Sequence, residues 1–283
     1  MGLTVIPVSS GQTKRQLKLM DDFKPRILSC TPSYLLYMAE EAKEMGLDPQ
    51  KSSWQIGVLG AEPWSESMRL EIEQLWNILA TDIYGLSEMN GPGVSFECIY
   101  KRGMHTWEDS YILEIVDPVT QEPLCEGKEG EVVFTTLRRK ATPLLRYRTR
   151  DLAFVYKDGC PCRRTHRRIS RITGRTDDML IVNGVNMFPS QIEEVIMRIP
   201  EVGTNYQIQL EKDGALDRLV VKVEIYSKMF TSNVKELENL KEKIKEELRA
   251  SIIIHPFVEL HEPGSLPVFE GKAKRVIDLR TKI

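Results

Sequence analysis

The sequence predicts an α/β protein: a large domain of parallel sheet with a β-rich subdomain, then a small ferredoxin-like α+β domain. Three observations predict it. Over residues 3–84, short apolar runs alternate with segments of helical spacing, the order of a parallel sheet covered by helices. Over residues 94–157 the runs become short, β-like and separated by turn residues, the texture of an antiparallel meander or barrel. After Asp178 the order is strand, helix, strand, strand, helix, strand, that of a split βαβ sandwich.

Each element has a local reason. Residues 3–8 form a short apolar strand, and residues 13–23 carry helical spacing through Leu17, Met20 and Phe23. Residues 26–30 read as strand, 33–45 as helix, 55–60 as strand, 65–76 as helix and 81–84 as strand. The β-rich part has runs at 95–100, 111–116, 131–136 and 152–156, punctuated by turns such as Asp117-Pro118 and Glu126-Gly127. An Asn183-Gly184 turn follows the strand 179–182. Pro189-Ser190 then starts a helix over 190–199, with Glu193 and Glu194 expected in its first turn, where carboxylates suit the helix dipole. Strands at 205–210 and 218–226 follow. The helix 234–252 has Val234, Leu237, Leu240, Ile244 and Leu248 at three- and four-residue steps, and a strand at 257–260 closes the unit.

Composition narrows the function classes. At 283 residues with 41% hydrophobic content, the chain can build one large domain plus a small one. A net charge of −2 gives no whole-chain basis for binding nucleic acid. The Lys and Glu interleaved over 241–249 read as a solvated helix face. No apolar run is long enough to span a membrane, and residues 1–16 lack the pattern of a secretory signal. Five cysteines without a disulfide-framework spacing make a reducing cytoplasm the expected compartment.

Ligands of open α/β sheets sit at the carboxyl ends of strands. Two loops fall there: Gly60-Ala61-Glu62-Pro63, and the stretch from Gly85 to Asn90 after Tyr84. Gly85 lets the backbone approach a flat ligand, while Glu88 can reach a metal or a phosphate-bound cation. The run Tyr147 to Asp151 ends on an acid suited to accepting hydrogen bonds from ribose hydroxyls; an exposed salt-bridge turn is the plainer alternative. The stretch from Arg171 to Glu194 joins two kinds of texture. Its Arg175, Asp177 and Asp178 read either as a charged hinge beside an anionic ligand or as a solvated linker. Cys98, His105, Cys160 and Cys162 offer three soft ligands and an imidazole, a set that fits structural zinc, with His166 as an alternative fourth ligand and free thiols as the alternative reading.

Read together, GAEP (60–63), YGLSE (84–88), GEVVF (130–134), YRTRD (147–151), GRTDDMLIVNGVN (174–186) and EGKAKR (270–275) resemble the adenylate-forming superfamily, and within it the phenylacetate–coenzyme A ligases and their aryl-acid relatives. The resemblance runs from about Gly2 to Arg280. It implies residues 1–175 as the C-terminal part of an AMP-binding large domain and 176–283 as the family's C-terminal domain. It also implies ATP, Mg²⁺, coenzyme A and a small aryl acid as ligands, and it allows a homodimer. The implied reaction has two halves. A carboxylate attacks the α-phosphate of ATP, giving an acyl-adenylate and pyrophosphate; the thiol of coenzyme A then displaces AMP to give a thioester.

The resemblance also implies roles. Glu88 would help hold Mg²⁺, Tyr84 and Gly85 would lie along the adenine, and Asp151 would bind the ribose hydroxyls. Arg175 would lie near ribose and phosphate, and Lys272 would contact the acid and the α-phosphate, where a flexible point charge suits growing negative charge. Asp177 would be the hinge of a rotating small domain, with Asn183 and Gly184 facing the thiol channel. The family's phosphate loop and one wall of the acyl pocket are not seen in this sequence. The expectation is a large domain that is partial, with little ligase activity in this polypeptide alone. A catalytically silent nucleotide- or coenzyme-A-binding remnant, and a relative that stops at the adenylate or uses another acceptor, stay open.

Overall fold

The computed structural model describes residues 2–8, 11–89, 91–214, 216–226, 234–267 and 275–280. Helix α1 (Thr13–Phe23) buries Leu17 and Met20 on one stripe and closes on Lys24, whose left-handed backbone (φ 47°) returns its N–H to Met20 O. Helix α2 (Pro32–Glu44) begins with proline at its start, where the missing N–H is no loss. Helix α3 (Glu66–Trp76) is capped by Ser65, whose Oγ accepts the Met68 N–H at 3.1 Å.

These helices cover three parallel strands, β1 (Ile27–Cys30), β2 (Ile56–Gly60) and β3 (Leu79–Leu86). The sheet continues antiparallel through β4 (Gly91–Glu97), β5 (Met104–Thr106) and β9 (Arg168–Ile169), in the order β1-β2-β3-β4-β5-β9. Leu17, Leu35, Met38, Leu59, Met68 and Ile72 form its core with Trp54 and Trp76, whose rings lie 4.7 Å apart. Burying each such side chain contributes about 1.5–3 kcal/mol before ordering costs.

A second, wholly antiparallel sheet holds β6 (Tyr111–Val116), β7 (Gly130–Thr136), β8 (Tyr147–Ala153) and β10 (Gly174–Arg175), in the order β10-β8-β7-β6. It is the meander of the two options the sequence leaves open. Its core joins Phe134, Val132 and Leu113 to Tyr84 and Met104 of the first sheet. Strand β3 therefore serves two cores, through Ala80 at one end and Tyr84 at the other.

The C-terminal unit has its own core, with Val182, Ile192, Ile208, Val221, Val223, Leu240, Ile244 and Leu248 among its members. Strands β13 (Val202–Asp213) and β14 (Leu216–Ile225) pair antiparallel; β15 (Phe257–His261) and β16 (Val276–Asp278) flank them, in the order β15-β14-β13-β16. Helix α4 (Pro189–Ile196) and helix α5 (Val234–Ile252) pack on it.

Four expectations need correction. Residues 3–8 have no regular secondary structure and Val5 is 80% exposed; no described strand offers them a ladder. The run at 179–182 does not enter the four-stranded sheet. As β11 (Leu180–Val182) it pairs with β12 (Val185–Met187) across Asn183 and Gly184, whose φ of 49° and 82° are those of a tight hairpin turn, while β16 takes the outer place. Glu193 lies beyond the first turn of α4, because Pro189 is already helical; it is buried and accepts the Tyr206 hydroxyl at 2.6 Å. Burial raises its carboxyl above the ordinary range, with Arg275 and Tyr206 opposing. Strand β8 starts five residues before the expected 152, so the charged run Tyr147 to Asp151 is sheet, not turn.

Candidate functional site

A cleft of about 550 Å³ opens at the carboxyl end of β3, between the two sheets of the larger part. Its walls are the loop 61–64, the run from Asp82 to Glu88, Met104 of β5, Tyr147, Thr149 and Asp151 of β8, and Arg171, Ile172 and Arg175 of the connecting stretch. Of the residues the sequence singles out, Ala61, Glu62, Tyr84, Gly85, Glu88, Asp151 and Arg175 line it.

Asp151 is turned into the cleft by an irregularity in its strand. Between the pairs Glu131↔Leu152 and Val133↔Arg148, β7 has one residue and β8 has three, so β8 bulges over Thr149, Arg150 and Asp151. Arg150 sits at φ 70° in that bulge. Thr149 holds it in place: its hydroxyl donates to Val132 O at 2.9 Å and accepts the Asp151 N–H at 3.1 Å. The Asp151 carboxylate then receives the Tyr84 hydroxyl on one oxygen at 2.5 Å and Arg175 Nη1 on the other at 2.7 Å. Burial pushes the Asp151 carboxyl up, against the pull of Tyr84 and Arg175. Burial, and then the Asp151 charge, carry the Tyr84 hydroxyl well above its ordinary value, so it stays a donor. Each carboxylate oxygen keeps a lone pair for a hydroxyl entering from the cleft.

Arg175 has two sets of partners. Its Nε and Nη2 form a fork on Asp177, both at 2.9 Å, while Nη1 holds Asp151. Partial desolvation would raise Asp177, but the Arg175 fork outweighs it and holds that carboxyl below its usual range. One third of the Arg175 side chain faces solvent, so these bonds can be exchanged for an anion in the cleft.

The opposite wall is fixed. Arg69 and Glu97, each 1% exposed along the side chain, pair at 2.9–3.0 Å, and Glu97 also accepts the Asp82 N–H at 2.8 Å. Trp64 lies between two guanidinium groups, with Arg69 at 5.1 Å and Arg171 at 4.9 Å from its ring centre. Burial, then the Glu97 charge, lift the Asp82 carboxyl to about 6, against Arg171 and Arg69. Asp82, Trp64 and Arg171 line the cleft, with Arg69 behind Trp64, and none of the four stands in a motif the sequence singles out as a site. A charge inside the apolar run from Ile78 to Ile83 was the available signal.

Other expected residues stand elsewhere. Gly60 does not line the cleft; a Cβ there would meet Ile83 O at 2.1 Å, so it is the close approach of β2 to β3 that requires glycine. Glu62 lines the cleft and also accepts the Ser33 N–H at 2.7 Å at the start of α2. Asp177 meets the cleft only through Arg175. Asn183 faces the C-terminal sheet, its Nδ2 donating to Asp217 O at 2.8 Å and its Oδ1 accepting the Asp217 N–H at 2.7 Å, while Gly184 beside it is exposed. Lys272 lies outside the described residues. Cys98, His105, Cys160 and Cys162 do come together, with ligand atoms within 4.8 Å of one another. The His166 ring instead packs edge-on against Trp107 at 5.8 Å.

Comparisons with known proteins agree with this architecture. A family model described as "AMP-binding enzyme" matches residues 1–137, and one described as "AMP-binding enzyme C-terminal domain" matches residues 184–280. The phenylacetate–coenzyme A ligase of Thermus thermophilus is 46% identical over 99% of this chain and 66% of its own length. That of Escherichia coli (strain K12) is 44% identical over 99% of this chain and 64% of its own length. The chain thus spans somewhat under two thirds of the length of these relatives. A crystal structure of 2-hydroxyisobutyryl-CoA ligase in the postadenylation state superposes with a TM-score of 0.89 at 28% identity, covering 96% of this chain and 58% of that one. The same enzyme in its thioesterification state gives 0.59, covering 97% and 58%. Both units of this chain therefore take relative positions close to those of the postadenylation structure.

Proposed function

The chain belongs to the AMP-binding, adenylate-forming enzyme family, and from that premise we propose that it serves ATP-dependent ligation of phenylacetate or a related aryl acid to coenzyme A through an acyl-adenylate. The observation that carries the reading is the convergence of Tyr84, Glu88, Asp151 and Arg175, from two sheets and the connecting stretch, on one cleft. The likeness to phenylacetate–coenzyme A ligases supports the choice of acid and acceptor.

In this mechanism Asp151 accepts hydrogen bonds from the two ribose hydroxyls on the face left open by Tyr84 and Arg175. The Gly85 backbone lies against the adenine, where a side chain would intrude. Arg175 trades its bonds to Asp177 for the α-phosphate, holding the nucleotide as the acid's carboxylate oxygen attacks phosphorus and pyrophosphate leaves. Glu88 is the cleft carboxylate that would hold Mg²⁺, an ion that typically takes one or two protein carboxylates, keeps several waters and neutralises phosphate charge when bound. Lys272 neutralises the oxygen charge that develops during that attack. The coenzyme A sulfur then attacks the acyl carbon and AMP departs, after the C-terminal unit turns about Asp177 and brings Asn183 and Gly184 to the thiol path. Residues 1–175 carry the nucleotide and residues 176–283 carry Lys272 and the turn; the separate core of the C-terminal unit supports that division.

Among the described residues no helix is long and apolar enough to cross a membrane. We assign the chain to the cytoplasm, a reading supported by its five free cysteines.

Binding of the intermediate tests the reading without requiring turnover. A non-hydrolysable phenylacetyl sulfamoyl-adenosine, titrated while tryptophan fluorescence is followed, is expected to saturate at one per chain and to bind more tightly than its straight-chain acetyl counterpart. No saturable binding of either compound overturns the adenylate site, and equal binding overturns the aryl assignment.

A further inference from the structure

Behind the cleft wall, four side chains from separate stretches meet. Cys98 follows β4, His105 is the middle residue of β5, and Cys160 and Cys162 flank Pro161 in the loop before β9. Cys98 Sγ lies 3.6 Å from Cys160 Sγ, and Cys162 Sγ lies 3.3 Å from His105 Nε2. All four ligand atoms fall within 4.8 Å of one another. A tetrahedral zinc with sulfur at about 2.3 Å and nitrogen at about 2.0 Å sets ligand-to-ligand edges of about 3.5–3.8 Å. We infer that Cys98, His105, Cys160 and Cys162 bind one structural zinc ion that clamps the β4–β5 hairpin to the loop leading into β9.

The surroundings are those of a closed metal site. His105 is 2% exposed, and its other ring nitrogen, Nδ1, lies 3.4 Å from His166 O. A proton on Nδ1 is thereby held by a carbonyl, and the Nε2 lone pair is left facing the sulfurs, as in a metal-bound histidine oriented by its other ring nitrogen. The metal requires thiolates, which form as it displaces the thiol protons. With four protein ligands the site has no open position, so its contribution is to shape rather than to chemistry.

That shape bears on the cleft. In β5 successive side chains face opposite ways: Met104 lines the cleft and His105 joins the cluster. His105 is paired in register with Arg168, and the chain from Arg168 runs directly to Arg171, Ile172 and Arg175. The clamp thus fixes the register from which these cleft residues are hung.

The test is elemental analysis and X-ray absorption on the full chain, purified under reducing conditions with no added metal. One zinc per chain is expected, with three sulfurs at about 2.3 Å and one nitrogen at about 2.0 Å. Replacing zinc with cobalt(II) should give the intense visible bands of a tetrahedral thiolate site. Cys162→Ser, which alters the least buried ligand, should lower zinc affinity at least about tenfold, whereas Cys125→Ser, at an exposed cysteine outside the cluster, should leave it unchanged. Zinc far below one per chain with no uptake on reconstitution overturns the proposal, as does a Cys98–Cys160 disulfide found by mass spectrometry. Metal content is read without nucleotide or acid, so failure here is distinct from failure of the ligase reading.

Discussion

Two arginines, Arg69 behind the cleft wall against Trp64 and Arg175 on the wall itself, are bonded in opposite ways. Arg69 is sealed, paired with a Glu97 that is equally buried and that also ties down the Asp82 backbone. Arg175 is partly wet and shares its five donors among Asp151, Asp177 and Asp178. A buried pair cannot release one member without stranding a charge, which costs several kcal/mol. A solvated fork can change partners at little cost. One wall of the cleft is therefore scaffold and the other is the part able to answer a ligand.

The sharpest way to break that contrast is the same kind of truncation on each side. Arg69→Met leaves Glu97 buried without its partner and is expected to cost about 3–5 kcal/mol of stability, read by denaturant unfolding followed through the tryptophans. Arg175→Ala leaves the buried Asp151 with the Tyr84 hydroxyl and should cost less, about 1–2 kcal/mol, its main effect falling on adenylate affinity. Equal stability losses would erase the distinction between the walls.

A smaller effect is expected from pH. Asp82 titrates at about 6 in the fold against 3.8 ordinarily. Between those values the folded chain holds a proton that the unfolded chain has released, so this group's contribution to stability declines as pH rises through the window and is flat outside it. Subtracting the melting curve of Asp82→Asn from that of the parent across pH 4 to 6 should expose this slope; a difference that stays constant would mean the carboxyl is not desolvated by the scaffold wall.

Much of this was legible in the residues, for identifiable reasons. Helices α1 to α3 follow from spacing and caps, Ser65 and Pro32 among them. The cleft-lining residues Tyr84, Glu88, Asp151 and Arg175 stand out in the sequence because each sits in a local run. What pairing decides was harder to see. Residues 147–151 are rich in charge, yet Arg148 is neutralised by Glu131 across the strand pair, so the sheet can take them in with only Arg150 exposed. The run at 179–182 has the apolarity of a sheet strand, but its neighbouring Asn-Gly turn folds it onto β12 instead. Gly60 resembles a ligand-approach glycine and is a strand-packing one, a difference that lies in Ile83, 23 positions away. Asp82 and Trp64 meet Arg171 at the cleft, and Arg69 of α3 lies against Trp64, contacts between stretches far apart in the chain.

The central claim is that the Asp151 carboxylate, held from behind by Tyr84 and Arg175, is the group that receives a ribose. Calorimetric titration of AMP onto the parent chain and onto Asp151→Asn tests it most directly. The account predicts a measurable affinity that falls at least about tenfold in the variant, the loss of charge-assisted bonds to two hydroxyls, while the melting temperature shows both proteins folded. Equal AMP affinity in two folded proteins would contradict it.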